Sequence, residues 1–239
     1  MKKYSKADLA EYLTKDYTLD YLNKLTVNED ENFTCQKWLR DSGPKRMIFW
    51  DIYGDLLTNS NLSVLDIGGG YTSFTREFVA KHNYHLVDIM THDDEKLFTN
   101  LEKQIGQFWV GKDWSQFQPK TNYDLVIAND IFPNVDQRLR LFIETFLPFA
   151  SELRITATYY NEERCYTVKR VDADEIYNIL AWGEDQVTSA LFQFKNQIQN
   201  VNFDVFSVEN ESIFPNKRQV VQIVIKKEKY LKSKMQWIN

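Results

Sequence analysis

A run of glycines directly after a short apolar segment constrains the fold of this chain more than any other feature. Residues 62–67 have the sequence LSVLDI, and Gly68, Gly69 and Gly70 follow. A short apolar segment that ends in glycines is typical of a buried strand. Because residues 73–81 then have a helical pattern, the segment predicts the first strand, turn and helix of an α/β fold with a parallel sheet.

The same alternation of strand and helix continues along the chain. The next predicted strands cover residues 85–89, 107–110, 123–128, 153–158, 203–208 and 220–225. The predicted helices cover residues 93–105, 136–146 and 172–200. We therefore expect an α/β three-layer sandwich with a Rossmann-like, seven-stranded, mostly parallel sheet that ends in an antiparallel hairpin.

Composition and charge exclude several other classes of protein. The chain has 239 residues and a net charge of −5, whereas a nucleic-acid-binding protein usually has a basic face. No apolar run approaches the roughly 20 residues of a membrane helix, and residues 1–12 lack the apolar stretch of a signal peptide. We therefore expect a cytoplasmic protein that binds neither membrane nor nucleic acid. Cys35 and Cys165 have no paired-ligand spacing, so no metal site is predicted, and two free thiols are a simpler interpretation than the alternative of one disulfide bridge.

The acid that precedes the glycines distinguishes between two kinds of cofactor. A dinucleotide-binding turn has the pattern G-x-G-x-x-G, but Ser73 occupies the position of its third glycine here. Asp66 would also be unfavourable beside a pyrophosphate, whereas it would attract the cationic amino acid part of S-adenosylmethionine. A nicotinamide-dependent oxidoreductase is therefore the less favoured alternative.

The order of these residues resembles a known family. The pattern Asp66-x-Gly68-x-Gly70 is similar to the first motif of class I S-adenosylmethionine-dependent methyltransferases, Asp/Glu-x-Gly-x-Gly-x-Gly. The sequence departs from the motif at Thr72, where the family has its last glycine. The resemblance implies that S-adenosylmethionine is the cofactor and that Asp66 and the three glycines, Gly68, Gly69 and Gly70, surround it.

The resemblance also assigns residues at the end of the second predicted strand. Asp88 lies 22 residues after Asp66, a separation that corresponds to one strand–helix–strand unit. It implies that the Asp88 carboxylate accepts both ribose hydroxyls, because its two oxygens match a vicinal diol. Ile89 follows Asp88 directly and is assigned to the same cofactor site.

Two further segments complete the predicted cofactor site. Residues 110–114 resemble the family segment after the third strand, which implies that Asp113 accepts from the adenine amino group. The resemblance also implies that the backbone N–H of Trp114 meets the adenine ring. Residues 123–132 resemble the fourth strand and its loop, which implies that Asn129 lies near the methionine end of the cofactor.

Candidate catalytic and substrate-binding residues follow from their places in the predicted sheet. Asp130 and His92 are candidate bases for an oxygen nucleophile, with a helix-capping or solvated acid as the alternative for Asp130. Tyr160, Arg164 and Arg170 follow the fifth strand, where ligand-facing loops lie. Arg164 and Arg170 are candidates for holding an anionic substrate, with a solvated charge cluster as the alternative. Tyr160 is a candidate for lining the substrate pocket, with core or edge packing as the alternative.

The predicted domain organisation separates the helical start of the chain from the cofactor-binding part. Residues 1–58 predict a helical cap, which begins with Ser5 as the N-cap and Asp8 at the capping-box position. Residues 59–239 form the predicted methyltransferase domain, in which residues 159–200 contribute to the substrate site.

These observations together predict an enzyme that transfers a methyl group from S-adenosylmethionine to a small molecule. The candidate substrates are a sugar, a phosphorylated metabolite or a nucleotide-linked metabolite. A catalytically silent binding protein with the methyltransferase fold is the alternative from another functional class.

Overall fold

The computed structural model describes residues 1–90, 92–170, 175–208 and 211–227. Its strands are β1 (Lys2–Lys3), β2 (Ser63–Ile67), β3 (Asn83–Val87), β4 (Trp109–Val110), β5 (Tyr123–Phe132), β6 (Ala150–Tyr159), β7 (Arg164–Arg170), β8 (Glu175–Ala181) and β9 (Gln219–Lys226). Its α-helices are α1 (Lys6–Leu13), α2 (Tyr17–Leu25), α3 (Thr34–Asp41), α4 (Gly43–Tyr53), α5 (Ser73–Lys81), α6 (Glu95–Ile105), α7 (Leu139–Phe146), α8 (Glu184–Phe192) and α9 (Asp204–Ser207). Short 3-10 turns join several of these elements.

The main sheet has seven strands in the order β1-β9-β6-β5-β2-β3-β4. The pairs β2–β3, β2–β5, β3–β4 and β5–β6 are parallel, and β9 is antiparallel to both β6 and β1. The predicted seven-stranded, mostly parallel sheet is therefore confirmed. Its strand order reverses between β2 and β5, and such a reversal opens a crevice at the carboxyl ends of the strands.

The outermost strand differs from the prediction. Residues 203–208 form the helical turn α9 instead of a strand, because Phe206 packs into the core while Val208 is 48% exposed. The outer edge of β9 is instead covered by β1, with Lys2 opposite Gln222 and Lys3 opposite Val221. The start of the chain thus completes the sheet.

The segment after β6 also differs from the predicted helix over residues 172–200. Strands β7 and β8 form a separate antiparallel hairpin, and helix α8 begins only after Gly183. Ile176, Asn178 and Leu180 are all exposed, so these alternate positions lie on one face of β8. Alternate residues that share one face are the pattern of a strand and not of the predicted helix.

Two hydrophobic clusters fill the two faces of the main sheet. Helices α7 and α8 pack on one face, and α4, α5 and α6 pack on the other. Residues of the predicted cap, including Ile52 and Leu56, share a cluster with Val64 and Leu86 of the sheet. The cap thus provides part of the main core. Ser5 and Asp8 form the predicted capping box of α1.

The remaining general features concern membranes and thiols. In the part of the chain that the structure describes, no helix combines the length and the apolar character needed to cross a membrane. Cys35 and Cys165 are both free, as predicted.

Tyr4 anchors the edge strand and provides a test of its role. The side chain is 1% exposed, and its backbone N–H donates to the Val220 carbonyl at 3.1 Å. We expect Tyr4→Ala to lower the free energy of unfolding by about 3–5 kcal/mol in urea denaturation, because it leaves a large cavity. Tyr17→Ala, at a ring that is 36% exposed, should cost clearly less. Equal losses in the two variants would contradict a structural role for the edge strand.

Candidate active site

A large cavity lies at the carboxyl ends of the central strands and measures about 1800 Å³. Its wall combines the glycine turn, the loops after β3, β4 and β5, helices α3 and α4, the β7–β8 hairpin and the segment before β9. Among the residues predicted for the site, those on this wall are Gly68, Gly69, Asp88, Ile89, His92, Asp113, Trp114, Asn129 and Asp130. The fold therefore brings most of the predicted site residues together around one cavity.

The glycine turn requires glycine at two of its three positions. Gly68 and Gly70 both have φ of +65°, a conformation that other residues rarely adopt. A Cβ atom at Gly68 would overlap the side chain of Ile131, and one at Gly70 would overlap the Cys35 thiol. The turn therefore lets neighbouring groups approach the backbone closely, as a cradle for a ligand needs.

Asp66, near the end of β2, packs against the glycine turn. Its side chain is 2% exposed, and its two oxygens accept hydrogen bonds from the hydroxyls of Tyr53 at 3.1 Å and Tyr84 at 2.7 Å. A Cβ at Gly69 would overlap the Asp66 carboxylate, so the two residues are in close contact. Burial raises the pKa of Asp66 to about 7, although both tyrosines act in the opposite direction. A direct contact between Asp66 and a cofactor stays a prediction.

Asp88 connects the glycine turn to the loop after β3. One carboxylate oxygen accepts the Gly70 N–H at 3.1 Å, and the other accepts the Met90 N–H at 2.8 Å. Burial raises the pKa of Asp88, and these backbone hydrogen bonds oppose the shift. Because a carboxylate offers about four acceptor sites, about two stay available to a ligand. Ile89 lies beside it on the cavity wall and is 56% exposed.

The segment after β4 is held by a cluster of charges. Asp113 accepts the Ser115 N–H at 2.9 Å and lies 3.3 Å from the Arg138 guanidinium. Burial alone would raise the pKa of Asp113, but its bonds with Ser115 and the charge of Arg138 lower it. The Trp114 ring is buried beneath Arg138 at 4.6 Å, and its Nε1 donates to Asp136 at 2.8 Å. The Trp114 side chain is therefore part of the core.

An irregularity at the end of β5 directs Asp130 into the cavity. The register between β5 and β6 shifts between Ala128 and Phe132, and Asp130 has φ of +59°. Its N–H donates to the Thr156 hydroxyl at 2.8 Å, and that hydroxyl donates to the Asn129 amide oxygen at 2.8 Å. This chain of hydrogen bonds stabilises an uncommon backbone conformation, which often marks a functional position.

The Asp130 carboxylate is paired with two cations. Arg218 Nη1 lies 2.8 Å from one oxygen, and Lys45 Nζ lies 3.1 Å from the other. Burial would raise the pKa of Asp130, but Arg218 and Lys45 outweigh burial and hold the pKa below its ordinary value. A carboxylate with a lowered pKa is a weak proton acceptor, so this geometry disfavours Asp130 as a general base.

His92 lies on the same wall, where its ring meets Trp38 edge to face with centroids 4.9 Å apart. Its role as a base stays a prediction. Sequence reasoning missed Trp38, Lys45 and Arg218, which come from segments outside the family motifs. Their positions are the local features that could have identified them: Lys45 lies at the start of α4, and Arg218 lies directly before β9.

Two of the predicted substrate residues after β6, Tyr160 and Arg164, pack against each other. The Arg164 guanidinium stacks on Tyr160 at 4.3 Å, and the Tyr160 hydroxyl lies 3.1 Å from that of Tyr166. Neither Tyr160 nor Arg164 is among the described residues of the cavity wall, so their substrate role stays a prediction. The side chain of Arg170 lies outside the described residues. The hairpin instead contributes Ile176, Asn178 and Leu180 to the wall.

Metal ligation has no support among the residues described. Groups of three or more His, Cys, Asp or Glu side chains arranged to hold a metal ion are absent from this part of the chain. The wall therefore presents charged and amide side chains, with backbone N–H groups, as the means of binding a ligand.

The raised pKa of Asp66 predicts a pH-dependent stability. The ordinary pKa is 3.8 and the folded value is about 7, so between these values the folded state holds a proton that the unfolded state releases. The unfolding free energy should therefore fall with rising pH in this window, by up to about 1.4 kcal/mol per unit. Asp66→Asn has no carboxyl group to titrate at this position. In denaturation experiments from pH 4 to 7, its unfolding free energy should therefore rise relative to that of the wild type. If the unfolding free energies of the two proteins depend on pH in the same way, the raised pKa of Asp66 is contradicted.

Comparisons with known proteins agree with this architecture at low sequence identity. No family model and no curated protein matches the chain. The N-terminal domain of EvdMO1 with S-adenosylhomocysteine bound is 8% identical, with a TM-score of 0.50, over 86% of this chain and 84% of that domain.

Two further solved structures are similar over most of their lengths. The DhpI complex with S-adenosylhomocysteine is 13% identical, with a TM-score of 0.49, over 93% of this chain and 98% of that one. The N-methyltransferase NodS from Bradyrhizobium japonicum WM9, in complex with S-adenosylhomocysteine, is 14% identical, with a TM-score of 0.49, over 88% and 98%. The strand order and the likeness to the EvdMO1 domain identify the fold of this chain as the Rossmann-like fold of class I S-adenosylmethionine-dependent methyltransferases.

Proposed function

We propose that this chain binds S-adenosylmethionine at the glycine turn and Asp88 and transfers its methyl group to a small molecule in the same cavity. The observation that carries this proposal is the fixed Asp88 carboxylate, which accepts one backbone N–H on each oxygen and still lines the cavity. Its remaining acceptor sites suit a ribose diol. The EvdMO1 domain, which shares the fold, was solved with S-adenosylhomocysteine bound.

The charge of the cavity wall supports the same cofactor. The described wall carries one more aspartate than it has lysines and arginines. These residues are Asp41, Asp88, Asp113, Asp130 and Asp136 against Lys45, Lys112, Arg138 and Arg218. A wall with a slight negative excess favours S-adenosylmethionine, whose net charge is positive, and disfavours the pyrophosphate of a dinucleotide.

The residues of the site suit a mechanism that depends on positioning. When bound, S-adenosylmethionine supplies a methyl group that is already electrophilic. Asp88 would orient the ribose, and Gly68 and Gly69 would leave space for the rest of the cofactor. Helix α3 and the β7–β8 hairpin both contribute to the cavity wall, where they would limit the access of water to bound reactants. Holding two reactants in line can supply a large part of a rate enhancement.

Proton removal is a separate requirement that depends on the methyl acceptor. Asp130 is held ionised by Lys45 and Arg218 and therefore has little affinity for a proton. We assign Asp130 to positioning, with His92 on the same wall as the candidate base for an oxygen nucleophile. A nucleophile with a free lone pair at neutral pH would need no base.

Asp88→Asn tests the cofactor assignment. The substitution removes the charge that strengthens hydrogen bonds to the ribose, so calorimetry should show S-adenosylhomocysteine binding weakened by about 1.5–3 kcal/mol. Asp204→Asn, at an exposed residue of α9, is the matched control and should bind normally. Unchanged affinity in a folded Asp88→Asn protein would remove Asp88 from the site. Preferred binding of NAD by the wild type would favour the oxidoreductase alternative.

Methyl transfer itself is tested with methyl-labelled S-adenosylmethionine and a fractionated pool of small metabolites. We expect label to appear in a small-molecule product with the wild-type protein and to be absent with Gly68→Val. The larger side chain would overlap Ile131 at a backbone conformation that disfavours valine, so the variant should not bind cofactor. Binding of S-adenosylhomocysteine without any label transfer would instead identify a silent binding protein.

A further inference from the structure

Three charged residues from distant parts of the chain form a cluster on the cavity wall. Lys45 lies at the start of α4, Asp130 lies in the irregular end of β5, and Arg218 lies directly before β9. The exposed fractions of their side chains are 32%, 30% and 10%, respectively. The cluster is therefore part of the wall that a ligand meets, and its local charge is one unit positive.

The hydrogen-bond donors of this cluster outnumber its acceptors. Asp130 accepts from Lys45 Nζ at 3.1 Å and from Arg218 Nη1 at 2.8 Å, with Nη2 more distant at 3.5 Å. An ammonium has three N–H donors and a guanidinium has five, so most of them are not used by this carboxylate. Arg218 Nε is buried and has no hydrogen-bond partner among the residues described. The cluster therefore suits a ligand that supplies further acceptor oxygens.

The position of Arg218 is fixed before any ligand binds. Its guanidinium stacks on the Phe214 ring at 4.4 Å, and its backbone N–H donates to the Asn216 side chain at 3.1 Å. Lys45 similarly lies 5.2 Å from the centre of the Trp38 ring. Two cations held on aromatic rings on the wall of one cavity form a preorganised anion site.

Apolar side chains line the same cavity as this charged cluster. Val135, Ile176 and Leu180 lie on its wall and are 70%, 71% and 43% exposed. Phe214 and Trp38 add aromatic surface to the wall. Exposed apolar residues and a charged cluster on the wall of one cavity favour a ligand with one charged end and an apolar body.

The geometry points to a methyl acceptor that is a small monocarboxylate with an apolar body, bound through its carboxylate by Lys45 and Arg218. This inference rests on the proposed function for the identity of the reaction, whereas the anion site stands on the cluster itself. A monoanion matches a local charge of one positive unit. A dianionic phosphate would exceed it and would also be repelled by Asp130.

The cluster also assigns a role to Asp130 that is not catalytic. By accepting from both cations, it holds Lys45 and Arg218 at a fixed separation and lowers their combined charge. Its backbone is fixed through Thr156. Asp130 is therefore a positioning residue that determines which anion the site accepts.

The test measures binding of three probes of similar size at pH 8 by ligand-observed NMR. Benzoate is a monoanion, benzamide is its neutral analogue, and phenyl phosphate is a dianion because its second pKa is about 6. Each probe is titrated into the free protein and into the protein saturated with S-adenosylhomocysteine. We expect benzoate to bind at least tenfold more tightly than benzamide and more tightly than phenyl phosphate.

Variants with matched surface controls connect the preference to the cluster. Lys45→Met and Arg218→Met should each remove the preference for benzoate over benzamide. Lys103→Met in α6 and Arg140→Met in α7, at exposed residues outside the cavity wall, should retain it. Asp130→Asn raises the local charge by one unit and should turn the preference towards phenyl phosphate. If Arg218→Met does not fold, Lys45→Met and Asp130→Asn still decide the question.

The possible outcomes separate this inference from the proposed function. Normal S-adenosylhomocysteine binding with no preference for benzoate, or with no benzoate binding, would overturn the carboxylate site and leave the cofactor assignment intact. If the wild type does not bind S-adenosylhomocysteine but retains the benzoate preference, the proposed function is overturned together with the role of the carboxylate as methyl acceptor, and the anion site itself stands. If Lys45→Met and Asp130→Asn both leave the preference for benzoate unchanged, the carboxylate binds elsewhere. That result would overturn the assignment to this cluster.

Discussion

The glycine turn after β2 depends on two carboxylates that hold it from different sides. Asp66 lies beneath the turn, between hydroxyls from α4 and β3, and Asp88 accepts the N–H of Gly70 from the loop after β3. The bonds of Asp66 join α4 and β3 to the end of β2, and the bond of Asp88 joins the loop after β3 to the turn itself. The packed core therefore fixes the backbone where the turn begins and at Gly70. A loop with two positive-φ glycines would otherwise lose considerable entropy on ordering.

The start of the chain contributes directly to this arrangement. The Gln36 amide oxygen accepts the backbone N–H of Ser73 at 3.0 Å, which satisfies one of the free donors at the start of α5. Asp30 is fully buried and accepts from Tyr71 Oη at 2.7 Å and from Arg76 Nε at 3.1 Å. These buried polar groups would be costly to separate from their partners. The cap and the turn are therefore energetically coupled.

Sequence patterns predicted those parts of the fold that depend on local order. The strand, turn and helix around Gly68 combine an apolar run, a glycine signal and helical periodicity within about twenty residues. Strand β1 has only two residues and carries no such pattern, so its pairing with β9 is decided by tertiary contacts. Residues 203–208 had a plausible strand pattern, but the edge that they would occupy is taken by β1.

The same distinction applies to the cavity, where Asp88 and Asp130 were found because both follow strands with recognisable patterns. Lys45 and Arg218 were missed because they are separated by more than 170 residues and meet only through Asp130. These two cations change the chemistry of Asp130, because pairing with them outweighs the effect of burial and lowers its pKa. Asp66 is also buried, but hydroxyl partners do not compensate for burial, and its pKa rises. The partners that the fold supplies therefore decide which carboxylate holds a proton and which stays charged on the cavity wall.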